Sequence, residues 1–237
     1  MYRPENPSAM QFLESSIVGL RTARHALTHP SLPTRVSLYP MVHVGDPAFY
    51  QRVHAEALSH DVVLCEGVSG QTARRLTRAY RWANVGRLGL MVQPAISESS
   101  GTRVVRADLD SEEFERLWAD APFHTRLAFT LGSSGYGLWM SVAGSRARLA
   151  ERLVVEDLAD RDDIYARADP VAGPALDVLL SARDARLCAR FDDVLSDEDQ
   201  SIAVLYGAGH MSALMRHLIA RRGFRVRSSD WLTVFER

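Results

Sequence analysis

The stretch Ser37-Leu-Tyr-Pro-Met-Val-His43, followed by Gly45-Asp46-Pro47, constrains this chain more than any other. Its apolar run suits a buried strand. Gly45-Asp46-Pro47 supplies turn chemistry, an aspartate N-cap and a proline for the first helical position. An amphipathic run comes next, and then Asp61-Val-Val-Leu-Cys-Glu66-Gly67, a second apolar strand that ends in a carboxylate. The order predicts strand, turn, helix, strand. In a parallel sheet, ligands gather at the carboxyl ends of the strands, so His43 and Glu66 are expected on one edge.

The far end of the chain repeats the pattern. Ile202-Ala-Val-Leu-Tyr206-Gly207-Ala-Gly209-His210 reads as a strand ending in a histidine, followed by a helix over 211–222 and a strand from Phe224. Leu205-Tyr206 stands before His210 as Leu38-Tyr39 stands before His43, a weak internal repeat. Gly207 and Gly209 could supply positive φ and bring backbone amides close to a substrate oxygen.

Length and charge bound the alternatives. The 237 residues, 46% hydrophobic, suffice for one α/β domain with a sizeable core. A formal charge of -1 offers no basic field for nucleic acid. The sequence holds no lysine, which excludes Schiff-base chemistry and a phosphate-binding loop with its lysine. Two cysteines, Cys65 and Cys188, form no disulfide framework and no Cys-x-x-Cys site, and read as reduced thiols in apolar surroundings. With no secretory-signal pattern and no long apolar run, the expectation is a soluble cytoplasmic protein without a membrane segment.

In the rest of the chain, residues 1–34 are expected to form an N-terminal helical extension. Phe12, Leu13, Ile17, Leu20 and Ala23 lie near helical spacing over Ala9–Leu27, and His25 and His29 would sit at the helix end. The domain proper would span 35–237. A helix over Gln71–Asn84 carries four arginines, either a solvated face or one wall of an anionic cleft. Leu88–Pro94 could be a short strand or a covering loop. Arg103–Asp110 reads as a strand that brings up Asp108, with Asp110 and Ser111 capping the next helix. Pro122–Val155 is helical but broken by glycines between 132 and 137; 156–173 is an acidic loop without calcium-binding spacing. Pro174–Leu195 is an amphipathic helix whose Arg183, four residues from both Leu179 and Leu187, faces inward and needs a partner such as Glu66, Asp108 or a bound anion.

Two histidines and a glutamate at strand ends allow two chemistries. They could bind a divalent transition metal such as Mn, Co, Zn or Fe, leaving positions for water. Without metal, one histidine could act as general base beside the glutamate. Both routes activate water against an acyl carbon.

These residues resemble the TraB/PrgY/GumN family, which includes the Tiki metalloproteases and is related in fold to erythromycin esterase and ChaN-like proteins. Gly207-Ala-Gly-His210 matches one Gly-x-x-His motif. Residues 40–43 resemble the other, with Pro40 in place of its glycine, and Glu66 ends the following strand. Asp108 and the pair Arg183-Asp184 also look like recurrent family positions. The resemblance implies a single α/β domain with a mixed central sheet flanked by helices, Tiki/erythromycin-esterase-like. It also implies a metal-dependent hydrolase of peptide, amide or ester bonds. His43, His210 and Glu66 would hold the metal; Glu66, Arg183 and His43 would serve catalysis; Gly207, Gly209 and Asp108 would contact a peptide or small-molecule substrate. The competing readings are a metal-free esterase and a non-catalytic binding or regulatory protein on the same fold.

Overall fold

A computed structural model of the chain describes residues 10–67, 84–96, 101–127, 144–158 and 173–237. The arginine-rich helix expected over 71–84 lies outside the described residues except for Asn84, as do the glycine cluster at 132–137 and all but the ends of the acidic loop at 156–173.

The centre is a mixed sheet flanked by helices. Its described strands are β1 (Leu13–Ser15), β2 (Gly19–Thr28), β3 (Arg35–Met41), β5 (Val62–Cys65), β7 (Arg103–Arg106), β8 (Ser201–Gly207) and β9 (Arg225–Glu236), in the order β1-β2-β3-β8-β5-β7, with β9 paired to β2. β3, β8, β5 and β7 are mutually parallel, whereas β1, β2 and β9 pair antiparallel. The four residues of β5 and the five central residues of β8 are all buried, as continuous apolar runs covered on both faces should be.

β8 comes from the far end of the chain and inserts between β3 and β5. The two repeat-like strands are therefore neighbours, and their registers end together at Met41 and Gly207. α1 (Pro47–Ala57) connects β3 to β5; Asp46 caps it by accepting from the Ala48 amide, and Pro47 opens it. A two-residue ladder of β4 (Val44–Gly45) with β6 (Met91–Val92) ties down the loop after β3. Further α-helices are α2 (Ser111–Asp120), α3 (Arg146–Leu158), α4 (Gly173–Val194) and α5 (Ala208–Arg216). Asp110 and Glu113 form the capping box of α2.

The expected N-terminal helix is replaced by strands. Residues 13–28 enter the sheet as β1 and β2, and β2 pairs with β9 along its whole length. The helical spacing there was accidental: Ile17 lies on the turn at 89% exposure, while Phe12, Leu13 and Leu20 are buried. Gly19 enforces the reversal with φ near +149°, and a Cβ there would stand 2.2 Å from the Phe235 carbonyl oxygen. His25, expected at a helix end, is instead buried in β2, with Nδ1 2.7 Å from the Ser229 hydroxyl.

Pro40 sits within β3 where the β2 ladder has already stopped at Leu38. Its carbonyl points toward β2 and accepts from the Thr22 hydroxyl at 2.7 Å. The missing amide proton would have faced the same gap, so the proline breaks no ladder bond.

Candidate functional site

The parallel strands deliver their carboxyl ends to one edge. Cys65 is level with Leu205 on one side and Arg106 on the other, so Glu66, Asp108 and the Gly207–His210 turn follow side by side. The Glu66 amide continues the ladder to the Leu205 carbonyl at 3.0 Å, and the Ala107 amide does the same to the Cys65 carbonyl at 3.0 Å. Asp108 is then buried, its oxygens accepting from the Leu109 amide at 2.9 Å and the Gly67 amide at 3.3 Å.

Arg183 on α4 reaches both carboxylates. Its Nε donates to Asp108 Oδ1 at 3.0 Å, and its Nη2 donates to Asp108 Oδ2 at 2.8 Å and to Glu66 Oε1 at 2.5 Å. The inward direction follows from the helix face, since Leu179 and Leu187 are both buried. The Tyr206 ring lies 5.7 Å from the guanidinium carbon, in the range of a cation–π contact. The Tyr206 side chain is fully buried, and its hydroxyl has no hydrogen-bond partner among the described residues.

The second oxygen of Glu66 is also committed. Oε2 accepts from the Gly207 amide at 2.7 Å, at the amino end of α5, where the helix dipole favours an anion. A Cβ at Gly207 would stand 3.1 Å from that oxygen and 3.6 Å from His210 Cδ2. Close approach is therefore the reason for glycine here. The expected positive φ is not found: Gly207 has φ of −50°, and Gly209 lies inside the first turn of α5.

His210 is likewise a helical residue, and its Nδ1 lies 2.6 Å from Asp184 Oδ1. An ionised carboxylate can only accept, so against it Nδ1 carries the proton and the basic lone pair of a neutral ring lies on Nε2. Arg183 and Asp184 are consecutive, and side chains about 100° apart around a helix serve two different strand ends. The Tyr206 ring meets the His210 ring edge-on at 5.0 Å. His43 stands at the same edge, on a loop held by the Gln93 amide donating to the His43 carbonyl and the Tyr50 hydroxyl donating to the Val42 carbonyl.

The electrostatics follow from this packing. Burial opposes ionisation of Glu66, but Arg183, His43 and His210 together outweigh it and hold the carboxyl down at about 2. Burial disfavours the Arg183 cation, yet Glu66 and Asp108 keep it firmly charged. Tyr206 is pushed far up, first by burial, and stays a phenol. Burial also raises the Cys65 and Cys188 thiols to about 11, so neither is a ready nucleophile at neutral pH.

The expected metal set does not fit this arrangement. Both oxygens of Glu66 already accept, one from Arg183, a fixed cation, and the other from the Gly207 amide. Among the described residues, no group of three or more His, Cys, Asp or Glu side chains is placed to hold a metal ion. Arg183 is likewise bonded to two carboxylates.

Sequence reasoning had no site role for Asp184 or Tyr206. The Arg183-Asp184 adjacency and the Leu-Tyr repeat were visible signals, but neither says what the side chain meets. Among the described residues no helix is long and apolar enough to cross a membrane. No family model matches the chain, and neither a curated protein nor a solved structure matches it.

Proposed function

We propose that this chain is a metal-independent hydrolase of an acyl bond, ester or amide, in which His210 is the general base. The observation that carries the reading is the His210–Asp184 hydrogen bond at the strand-end edge, 2.6 Å long, with the His210 side chain 7% exposed. Asp184 holds the ring in one tautomer, as a base needs. The likeness of the motifs around His43, Glu66 and His210 to the TraB/PrgY/GumN and erythromycin esterase group supports hydrolysis. The commitment of both Glu66 oxygens favours its metal-free form.

In the reaction, His210 Nε2 takes a proton from water as the oxygen adds to the acyl carbon of a peptide or small-molecule substrate. The tetrahedral intermediate then expels the alcohol or amine, which receives that proton from the imidazolium, leaving a carboxylic acid and the free leaving group. Glu66, held at about 2, is too weak a base for this step. It positions the Gly207 turn instead, and Arg183 compensates its charge.

The test is to incubate wild type, His210→Ala and Asp184→Asn with an ester and peptide library in the presence of a chelator, following products by mass spectrometry. Wild type should cleave, His210→Ala should not, and Asp184→Asn should lose about a hundred- to ten-thousand-fold. Cleavage that stops with chelator and returns with added metal would refute the metal-free mechanism. A wild type that cleaves nothing yet retains a small molecule that His210→Ala releases would make this a binding protein.

A further inference from the structure

We propose that the Arg183 guanidinium is a built-in cation occupying the position where a divalent metal ion would bridge Glu66 and Asp108, so that removing it uncovers a metal site. The proposal concerns residues of the proposed hydrolase, but it is read by metal binding and needs no turnover.

The geometry behind it is convergence on one atom. Glu66 Oε1 and Asp108 Oδ2 come from different strand ends, and both lie against Arg183 Nη2, at 2.5 and 2.8 Å. Oxygens around a Mn-, Zn- or Ca-sized ion sit at about 2.0–2.6 Å. The carboxylates would therefore draw inward by less than about 1 Å to close on an ion centred there.

Hydrogen bonds already fix both carboxylates in place. Glu66 is held by the Leu205 carbonyl and the Gly207 amide, and Asp108 by the amides of Gly67 and Leu109. The Asp108 side chain is 0% exposed and that of Glu66 14%. Two such carboxylates cannot both stay ionised without a positive charge between them.

A second observation points to an open polar position in the same cluster. The Tyr206 hydroxyl is buried without a hydrogen-bond partner among the described residues, although its ring packs against the guanidinium. A buried unpaired hydroxyl normally costs stability. Beside a metal ion it could hydrogen-bond to an ion-bound water. The guanidinium, a donor only, cannot accept its proton, and Asp108 lies close enough to act on it without a well-formed hydrogen bond.

The experiment titrates Mn²⁺ and Zn²⁺ separately into full-length wild type, Glu66→Gln, Arg183→Ala, Arg183→Met and Arg183→Ala/Glu66→Gln. Calorimetry and elemental analysis after desalting provide the readouts. Both single variants should bind one ion per chain at least about a hundredfold more tightly than wild type, because a fixed cation no longer competes for the same oxygens. The double variant should lose that gain.

Arg183→Met keeps an apolar stem in the helix interface and guards against simple unfolding. If both single variants are unfolded without metal, recovery of a cooperative thermal transition on adding Mn²⁺ or Zn²⁺ supports the proposal. Failure to recover overturns it. Two further results would overturn it: wild type binding one ion per chain that Glu66→Gln abolishes, or folded single variants that bind no better than wild type.

Discussion

Two arginines three residues apart on α4 bind carboxylates in different surroundings. Arg183 meets Glu66 and Asp108, with side-chain exposures of 15%, 14% and 0%. Arg186 meets Glu113 of the α2 capping box, with exposures of 29% and 28%. The chemistry is the same, and burial separates the consequences. Water can solvate either partner of the outer pair if the other is lost, so such pairs contribute little. At the inner cluster nothing replaces the lost partner, and breaking it strands a buried charge. The outer pair helps to hold α2 on α4, whereas the inner one holds two strand ends and the Gly207 turn in one geometry.

The sharpest way to break this comparison is to remove each guanidinium in turn. In the absence of divalent metal, Arg183→Ala should cost about 3–5 kcal/mol of stability in urea unfolding. An Arg183 effect no larger than that of Arg186 would dissolve the distinction.

Acid should act on the inner cluster next most strongly. The Glu66 carboxyl is held at about 2, below its ordinary 4.5, so the stabilisation from its anion is fully present above that ordinary value. It is lost as pH falls through the folded value. Unfolding midpoints measured between about pH 5 and pH 2 should therefore fall more for wild type than for Glu66→Gln.

A smaller perturbation approaches Glu66 from its other oxygen. Gly207→Ala places a Cβ 3.1 Å from Oε2, and with the carboxylate pinned this should cost about 1–3 kcal/mol. In an Arg183→Ala background the carboxylate can swing aside, and the same substitution should cost less, as a double-mutant cycle would read. Smallest of all, Arg186→Ala should change stability by less than about 1 kcal/mol, and by less still at high salt.

Several of these features were legible in the residues. The cap at Asp46-Pro47, the cap at Asp110, and the apolar strands before His43, Glu66 and Gly207 depend on neighbours within a few positions; Glu113, not Ser111, completes the Asp110 cap. The inward turn of Arg183 was readable from Leu179 and Leu187, although its division between two carboxylates was not. Residues 13–28 misled, because Leu13, Ile17, Leu20 and Ala23 imitate a helix, while Leu13 pairs with β2 and the residues of β2, such as Leu20 and Ala23, pair with a strand over 200 positions away, Gly19 with Glu236. Gly207 was recognised as necessary but for the wrong reason, since its backbone is ordinary and the constraint is the Glu66 oxygen beside it.

By itself the sequence determined the local grammar of the parallel strands: which of those runs are strands, where α1 and α2 begin, and that a histidine or carboxylate follows each parallel strand. Those outcomes rest on periodicity, caps and turns, whose energies are short-range in the chain. Tertiary structure decided what those side chains meet. Arg183 stands 117 positions from Glu66, and only the insertion of β8 between β3 and β5 sets the strand ends side by side. The packing of α4 across that edge then commits the Glu66 carboxylate to a guanidinium and His210 to Asp184. Such partners carry no mark in local spacing, because a buried charge is paired by whatever group the fold brings within reach.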